Sequence, residues 1–82
     1  MNNHEFERNV KFRGELTDFI VRCKKCRVMD VAFWINNEGK SFTPQSIEKL
    51  WKKYESLVKY SERVIQKYGD CNELVTRNVL NE

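Results

Sequence analysis

The chain has 82 residues, of which 40% are hydrophobic and 33% charged, and its formal net charge is +3. A chain of this length can enclose one hydrophobic core, so residues 1–82 are predicted to form a single domain. The charge is mild and well below the basic balance of a dedicated DNA-binding domain. The three cysteines do not resemble the disulfide framework of a secreted protein.

No segment of the sequence has the character of a membrane span or a signal peptide. The longest apolar run, residues 31–35, is far shorter than the about 20 residues that cross a bilayer. The first five residues lack the basic and apolar regions of a signal peptide. These features predict a cytoplasmic protein without membrane insertion.

The N-terminal half of the chain shows apolar residues at helical spacing. A first helix is predicted to begin near Asn2, which stands at capping-box spacing from Glu5, and Gly14 either ends or weakens it. A second helical run follows from Glu15, with apolar residues at Leu16, Phe19, Ile20, Cys23 and Cys26. Residues 28–35 are almost continuously apolar, which fits a buried helix or a buried strand. The helix is favoured because no partner strand is evident elsewhere in the sequence.

The most distinct predicted element is one long amphipathic helix over residues 44–68. Thr43 is a good N-cap, Pro44 occupies the first helical position, and Gly69 follows as a stop signal. The apolar residues repeat every seven positions and form one stripe, which only Ser61 interrupts. They are Ile47, Leu50, Trp51, Tyr54, Leu57, Val58, Val64, Ile65 and Tyr68. The sequence leaves open whether this stripe packs internally or against a second copy of the chain.

A last short helix is predicted to begin at Asp70, which stands at capping-box spacing from Glu73. Together these elements predict an all-α fold, a small single-domain helical bundle built around the long helix.

Cys23 and Cys26 form the only motif with familiar chemistry. Two thiolates at this spacing suit a tetrahedral zinc ion, but a structural zinc site needs four ligands. The remaining candidates, His4 and Cys71, lie in opposite terminal regions. Because no second closely spaced pair exists, packing of Cys23 in the core is favoured, and no stoichiometric metal or other cofactor is expected.

No set of residues at catalytic spacing is recognisable. His4 is the sole histidine, the serines have no histidine or lysine arrangement that would activate them, and a Gly-rich phosphate loop is missing from the sequence. The sequence therefore predicts a non-enzymatic protein without a small-molecule substrate.

Two features are candidates for binding a macromolecule. Met29, Phe33 and Trp34 belong to a stretch too apolar for a helix to bury on every side, so they are predicted to bind a protein partner. Residues 22–27 contain four cations that could meet phosphates, namely Arg22, Lys24, Lys25 and Arg27. Helical spacing spreads these cations over different faces, which favours a solvated surface over a nucleic-acid site.

Over its whole length the chain resembles the lysis-inhibition accessory proteins of T-even bacteriophages, a family of small cytoplasmic antiholins. The resemblance lies in the length and in the general character of stretches such as MNNHEFERNVKFRGELTDFIVRCKKC and FTPQSIEKLWKKYESLVKYSERVIQKYGD. It implies a regulator in the host cytosol that binds the soluble cytoplasmic segment of a phage holin and delays host lysis. The alternative is a small phage or bacterial regulator that binds nucleic acid or an RNA-polymerase subunit through residues 22–27. A third interpretation is a zinc-stabilised module that uses Cys23 and Cys26.

Overall fold

The computed structural model describes residues 4–69 and 71, which form a three-stranded sheet and two helices. The elements are β1 (Phe6–Arg13), β2 (Leu16–Cys23), β3 (Met29–Asn36), α1 (Pro44–Lys53) and α2 (Glu55–Gln66). The strands are antiparallel and lie in the order β1-β2-β3. The prediction of an all-α helical bundle is therefore wrong, and the fold is α+β.

The N-terminal half forms strands because its large and β-branched residues also alternate with a period of two. Thr17, Phe19, Val21 and Cys23 share one face of β2, and all four are buried. Short runs of the same residues fit helical spacing, which explains the wrong prediction of helices from Asn2 and Glu15. The stretch from Val28 to Ile35, favoured as a helix, lies mostly in β3, since β2 supplies the partner strand that was not recognised.

A tight turn at Gly14 and Glu15 joins β1 to β2. Arg13 pairs with Leu16 across the hairpin, and Gly14 has a φ of +63°. Glycine is preferred at the first position of two-residue hairpin turns that need a positive φ there. The sequence prediction treated Gly14 only as a helix breaker.

Gly14→Ala is expected to lower the free energy of unfolding by about 1–2 kcal/mol, the cost of placing an L-residue in the left-handed region. A Cβ atom at position 14 would meet nothing within 4 Å, so the cost lies in the backbone conformation. Glu15→Ala changes the same turn at a residue without a positive φ and is the matched control. Urea unfolding of the two variants measures the difference, and equal midpoints would contradict the hairpin.

The C-terminal half is helical where the sequence predicted it. The Thr43 hydroxyl accepts a hydrogen bond from the Ser46 backbone N–H at 3.1 Å, and Pro44 opens α1. The helix is not continuous, however, because Tyr54 (φ −108°, ψ 31°) separates α1 from α2. Gln66 ends α2 before the predicted end at residue 68. The short helix predicted from Asp70 and Glu73, like the helix start at Asn2, lies outside the described residues.

The helices pack on one face of the sheet and enclose the main core. Its buried members are Phe19, Val21, Phe33, Trp51, Val58 and Ile65. The rings of Phe19 and Phe33 stack with centroids 4.5 Å apart, and Trp51 meets both of them edge-on. Trp51, Val58 and Ile65 are one of the predicted seven-residue columns, so the stripe does face the core along this line.

Ser61 lies in the same interface between α2 and the sheet. It is buried, and its hydroxyl donates a hydrogen bond of 2.6 Å to the Asp30 carboxylate on β3. Ser61, the single polar residue of the stripe, therefore makes a polar contact between α2 and β3. Neither described helix has the length and apolar character needed to cross a membrane.

Candidate metal centre and open sheet face

Cys23 ends β2, and Cys26 lies in the turn that connects β2 to β3, which we call the cysteine turn. The Cys23 backbone N–H donates to the Val28 carbonyl at 2.9 Å, and the Arg27 N–H donates to the Cys23 carbonyl at 3.0 Å. Arg27 has a φ of +65°, which lets the chain reverse immediately after Cys26. The turn thereby brings the thiols of Cys23 and Cys26 within 4.8 Å of each other.

The structure brings His4 and Cys71 to this turn. The Cys71 Sγ lies 3.5 Å from the Cys23 Sγ, and the Cys26 Sγ lies 3.5 Å from the His4 Nδ1. All four side-chain donor atoms lie within 4.8 Å of one another. The side chains of the three cysteines are at most 1% exposed. We call this group of four residues the cysteine–histidine cluster.

A second contact fixes the orientation of the imidazole ring of His4. Its Nε2 lies 3.1 Å from the Gly69 carbonyl oxygen. Because a carbonyl oxygen can only accept a hydrogen bond, Nε2 carries a proton in this contact, and Nδ1 is the ring nitrogen that faces the thiols. The nitrogen that faces the sulfurs is therefore the one able to act as a ligand.

The cluster holds its sulfurs in unequal electrostatic environments. Burial raises the pKa of the Cys23 thiol, but hydrogen bonds from the Cys26 backbone, the His4 side chain and the Lys25 backbone outweigh burial and lower this pKa to about 6. Burial, together with the neighbouring Cys23 and Cys26, raises the pKa of Cys71 to about 12. The Cys23 thiol therefore ionises far more easily than the more strongly desolvated Cys71 thiol.

The sequence named all four members of the cluster but treated only Cys23 and Cys26 as a motif. The reason for expecting no metal was the lack of a second closely spaced pair, and that reason does not hold in the structure. His4 and Cys71 arrive as single residues from distant segments. One signal was present in the sequence: the cluster contains every cysteine and the only histidine of the chain.

The face of the sheet opposite the helices, which we call the open face, carries exposed apolar side chains. Met29 is 51% exposed, Val31 47% and Trp34 60%. Their neighbours on β2 are Arg22, Ile20 and Asp18, respectively, and directly opposite residues point to the same face. The open face also contains a depression of about 360 Å³, lined on the β3 side by Met29 and Val31 and on the β1 side by Asn9 and Lys11.

Charged groups border this apolar strip. The Arg13 guanidinium donates two hydrogen bonds, of 2.7 and 2.9 Å, to the Asp18 carboxylate. The Arg22 guanidinium donates one of 2.6 Å to the Glu7 carboxylate. The bond from Arg22 lowers the pKa of Glu7. Lys11 makes no ion pair with any residue in the described ranges. The β1 side of the open face therefore retains a positive charge.

The predicted partner-binding residues separate onto the two faces. Met29 and Trp34 lie on the open face, whereas Phe33 is only 8% exposed and belongs to the core. Phe33 is therefore removed from the candidate surface, and Val31 takes its place. An irregularity in the β2–β3 pairing sets Phe33 opposite Phe19 but Val31 opposite the next residue, Ile20, and this shift places Trp34 on the same face as Val31.

The four cations of residues 22–27 do not form one patch. Arg22 lies on the open face with Glu7, and Lys25 lies 3.5 Å from the Glu5 carboxylate. Lys24 and Arg27 are exposed on the cysteine turn. The positive charge of residues 22–27 is therefore divided between the open face and the turn after Cys23.

Comparisons of the chain with protein-family models, with curated proteins and with solved structures find no match. The fold and the two sites describe a small α+β domain with a buried cysteine–histidine cluster and an exposed apolar sheet face.

Proposed function

We propose that this chain is a non-enzymatic regulatory protein of the cytoplasm that acts by binding another protein through the open face. The observation that carries the proposal is the strip formed by Met29, Val31 and Trp34, three large apolar side chains that stand about half exposed or more on one strand. Scattered apolar residues are normal on a protein surface, but adjacent ones on one face mark a binding site. A tryptophan is also among the residues that most often anchor an interface.

The composition of the open face favours an amphipathic protein segment with acidic residues as the partner. Val31 and the neighbouring Ile20 offer apolar contact, whereas Lys11 offers an unpaired positive charge on the other side of the same depression. A segment that sets apolar side chains on β3 and a carboxylate near Lys11 would match both properties.

The resemblance to T-even antiholins supplies a specific candidate, the soluble cytoplasmic segment of a phage holin. On this proposal the protein binds one state of the holin more tightly than the others and so delays host lysis. A non-enzymatic role is supported by the burial of the three thiols of the cysteine–histidine cluster, each at most 1% exposed.

Binding of nucleic acid is the second candidate, because Lys24 and Arg27 are exposed on the cysteine turn. The two candidates differ in their dependence on salt. Contacts to several phosphates make affinity fall by orders of magnitude between about 50 and 200 mM salt. Titration of the protein with the holin segment and with nonspecific DNA at both salt concentrations separates them. Tight, salt-dependent DNA binding without holin binding would overturn the proposal.

Trp34→Ala is expected to weaken binding of the holin segment by about 2 kcal/mol or more, the size typical of an interface hot spot. Its effect on the free energy of unfolding should stay within about 0.5 kcal/mol, because the ring is largely exposed. Tyr60→Ala is the matched control, since Tyr60 is a similarly exposed aromatic residue (61%) on α2. Calorimetric titration measures both variants, and equal losses of affinity would contradict the assignment of the open face.

A further inference from the structure

We propose that His4, Cys23, Cys26 and Cys71 bind one zinc ion in a closed tetrahedral site. This inference stands on the cysteine–histidine cluster alone and does not depend on the partner proposed above.

The spacing of the donor atoms fits a single tetrahedral ion. Zinc bonds to sulfur of about 2.3 Å and to nitrogen of about 2.0–2.1 Å set neighbouring donor atoms roughly 3.5–3.8 Å apart. The Cys23–Cys71 and Cys26–His4 pairs each measure 3.5 Å, and no pair of donor atoms exceeds 4.8 Å. A few tenths of an ångström of side-chain adjustment would place all four donors around one centre.

Ordinary core packing explains the cluster less well than a metal does. Cys23, Cys26 and Cys71 form their own buried group beside the main core, and among the described residues only Val28 adds a partly buried apolar side chain to it. Buried thiols that served as small apolar residues would not need an imidazole nitrogen among them. Three thiolates and one imidazole are the donors that zinc prefers, whereas magnesium and calcium prefer oxygen.

The surroundings of His4 match those of a metal-bound histidine. Such residues usually donate their second ring N–H to a carbonyl or carboxylate, which fixes the tautomer and the ring plane. The His4 Nε2 makes this contact with the Gly69 carbonyl at 3.1 Å. Gly69 has a φ of +125°, a conformation that other residues rarely adopt, and Cys71 follows two positions later. The segment after α2 therefore supplies both a ligand and the group that orients another ligand.

Four protein ligands leave no open position, so the site is structural and not catalytic. The ion would join the segment before β1, through His4, to the segment after α2, through Cys71, and both to the turn after β2. Small domains with limited cores commonly depend on such a covalent or metal link. Zinc binding is thereby expected to contribute directly to folding.

Metal analysis of the full chain, expressed without added metal and purified without chelator, tests the site first. We expect one zinc per chain, a fall in the melting temperature when a strong chelator removes it, and recovery on addition of zinc but not of magnesium. Three results would each overturn the zinc site: iron in place of zinc, a disulfide among these cysteines in the freshly purified protein, or a metal-free protein whose melting temperature is unchanged by zinc.

Titration with Co²⁺, whose absorption reports tetrahedral coordination and thiolate bonds, tests the ligands individually. His4→Ala should weaken binding by more than the roughly 10–100-fold that loss of an outer-shell partner causes. His4→Cys should retain one ion per chain with an added thiolate band, and it remains informative if His4→Ala fails to fold. Val28→Ala is the control, because it loses packing against the cluster but no ligand. Unchanged cobalt spectra in both His4 variants would contradict the assignment.

Discussion

Phe33→Ala is expected to lower the free energy of unfolding by about 3–5 kcal/mol, the usual cost of removing a buried phenylalanine ring. The ring of Phe33 stacks on Phe19 and contacts Trp51 and Tyr54, with centroid distances of 4.5, 5.6 and 4.8 Å. Its loss would leave a cavity at the centre of the only layer between the sheet and the helices in the described part of the chain. Chemical denaturation followed by circular dichroism measures the change.

The neighbouring residue provides a sharp control for this prediction. Trp34 is larger than Phe33 but lies on the open face, so Trp34→Ala should change stability by no more than about 0.5 kcal/mol. The contrast between adjacent residues follows from the alternation of side chains along β3. A larger cost for Trp34→Ala than for Phe33→Ala would show that the faces of β3 are reversed.

Ser61→Leu is expected to be the second most damaging change. Overpacking a well-filled interior typically costs about 1–3 kcal/mol. Loss of the hydroxyl would also leave the Asp30 carboxylate without its 2.6 Å hydrogen bond, which adds about 1–3 kcal/mol for a partly buried acceptor. Thermal melts and urea unfolding report the sum of both effects.

Two further variants separate these effects. Ser56→Leu places the same side chain at an exposed serine of α2, so it should leave stability almost unchanged. Ser61→Ala removes the hydrogen bond without adding volume and should cost less than Ser61→Leu. If Ser61→Leu proved as mild as Ser56→Leu, the contact of α2 with β3 at this turn would be incorrect.

The start of α1 could be predicted from the sequence because its signals are local. Thr43, Ser46 and Pro44 lie within four positions, and their capping interactions require no other part of the chain. The stripe of Trp51, Val58 and Ile65 is likewise a property of one segment. The break at Tyr54 was missed, since nothing in the seven-residue repeat marks it.

The strands could not be recognised in the same way because pairing depends on distant residues. Residues 19–21 are all buried on the central strand, so β2 lacks the clean alternation of polar and apolar residues that marks a half-exposed strand. The one local signal was Gly14, which a hairpin uses at positive φ but which a helical interpretation treats as a defect. Had the sequence around Gly14 been interpreted as a hairpin, it would have predicted β2, which is the partner strand of β3.

The cysteine–histidine cluster illustrates the same difficulty for a site. The spacing of Cys23 and Cys26 is local and was noticed, whereas His4 and Cys71 come from distant segments that only the tertiary fold brings to them. The candidate protein-binding surface could be predicted only in part, because it too depends on contacts between distant segments. Composition identified Met29 and Trp34, but only the register of β3 against β2 could assign Phe33 to the core and Val31 to the open face.

Residue-by-residue mapping of the bound surface tests most directly whether the open face binds a protein partner. The measurement is a nuclear magnetic resonance titration of the isotopically labelled full chain with the holin soluble segment. The largest shifts in resonance are expected at Met29, Val31 and Trp34 and at their neighbours Ile20 and Lys11. Two results would contradict the proposed function. One is a set of shifts concentrated on the outer faces of α1 and α2 or in the cysteine turn, and the other is the lack of any shift in a large excess of the holin segment.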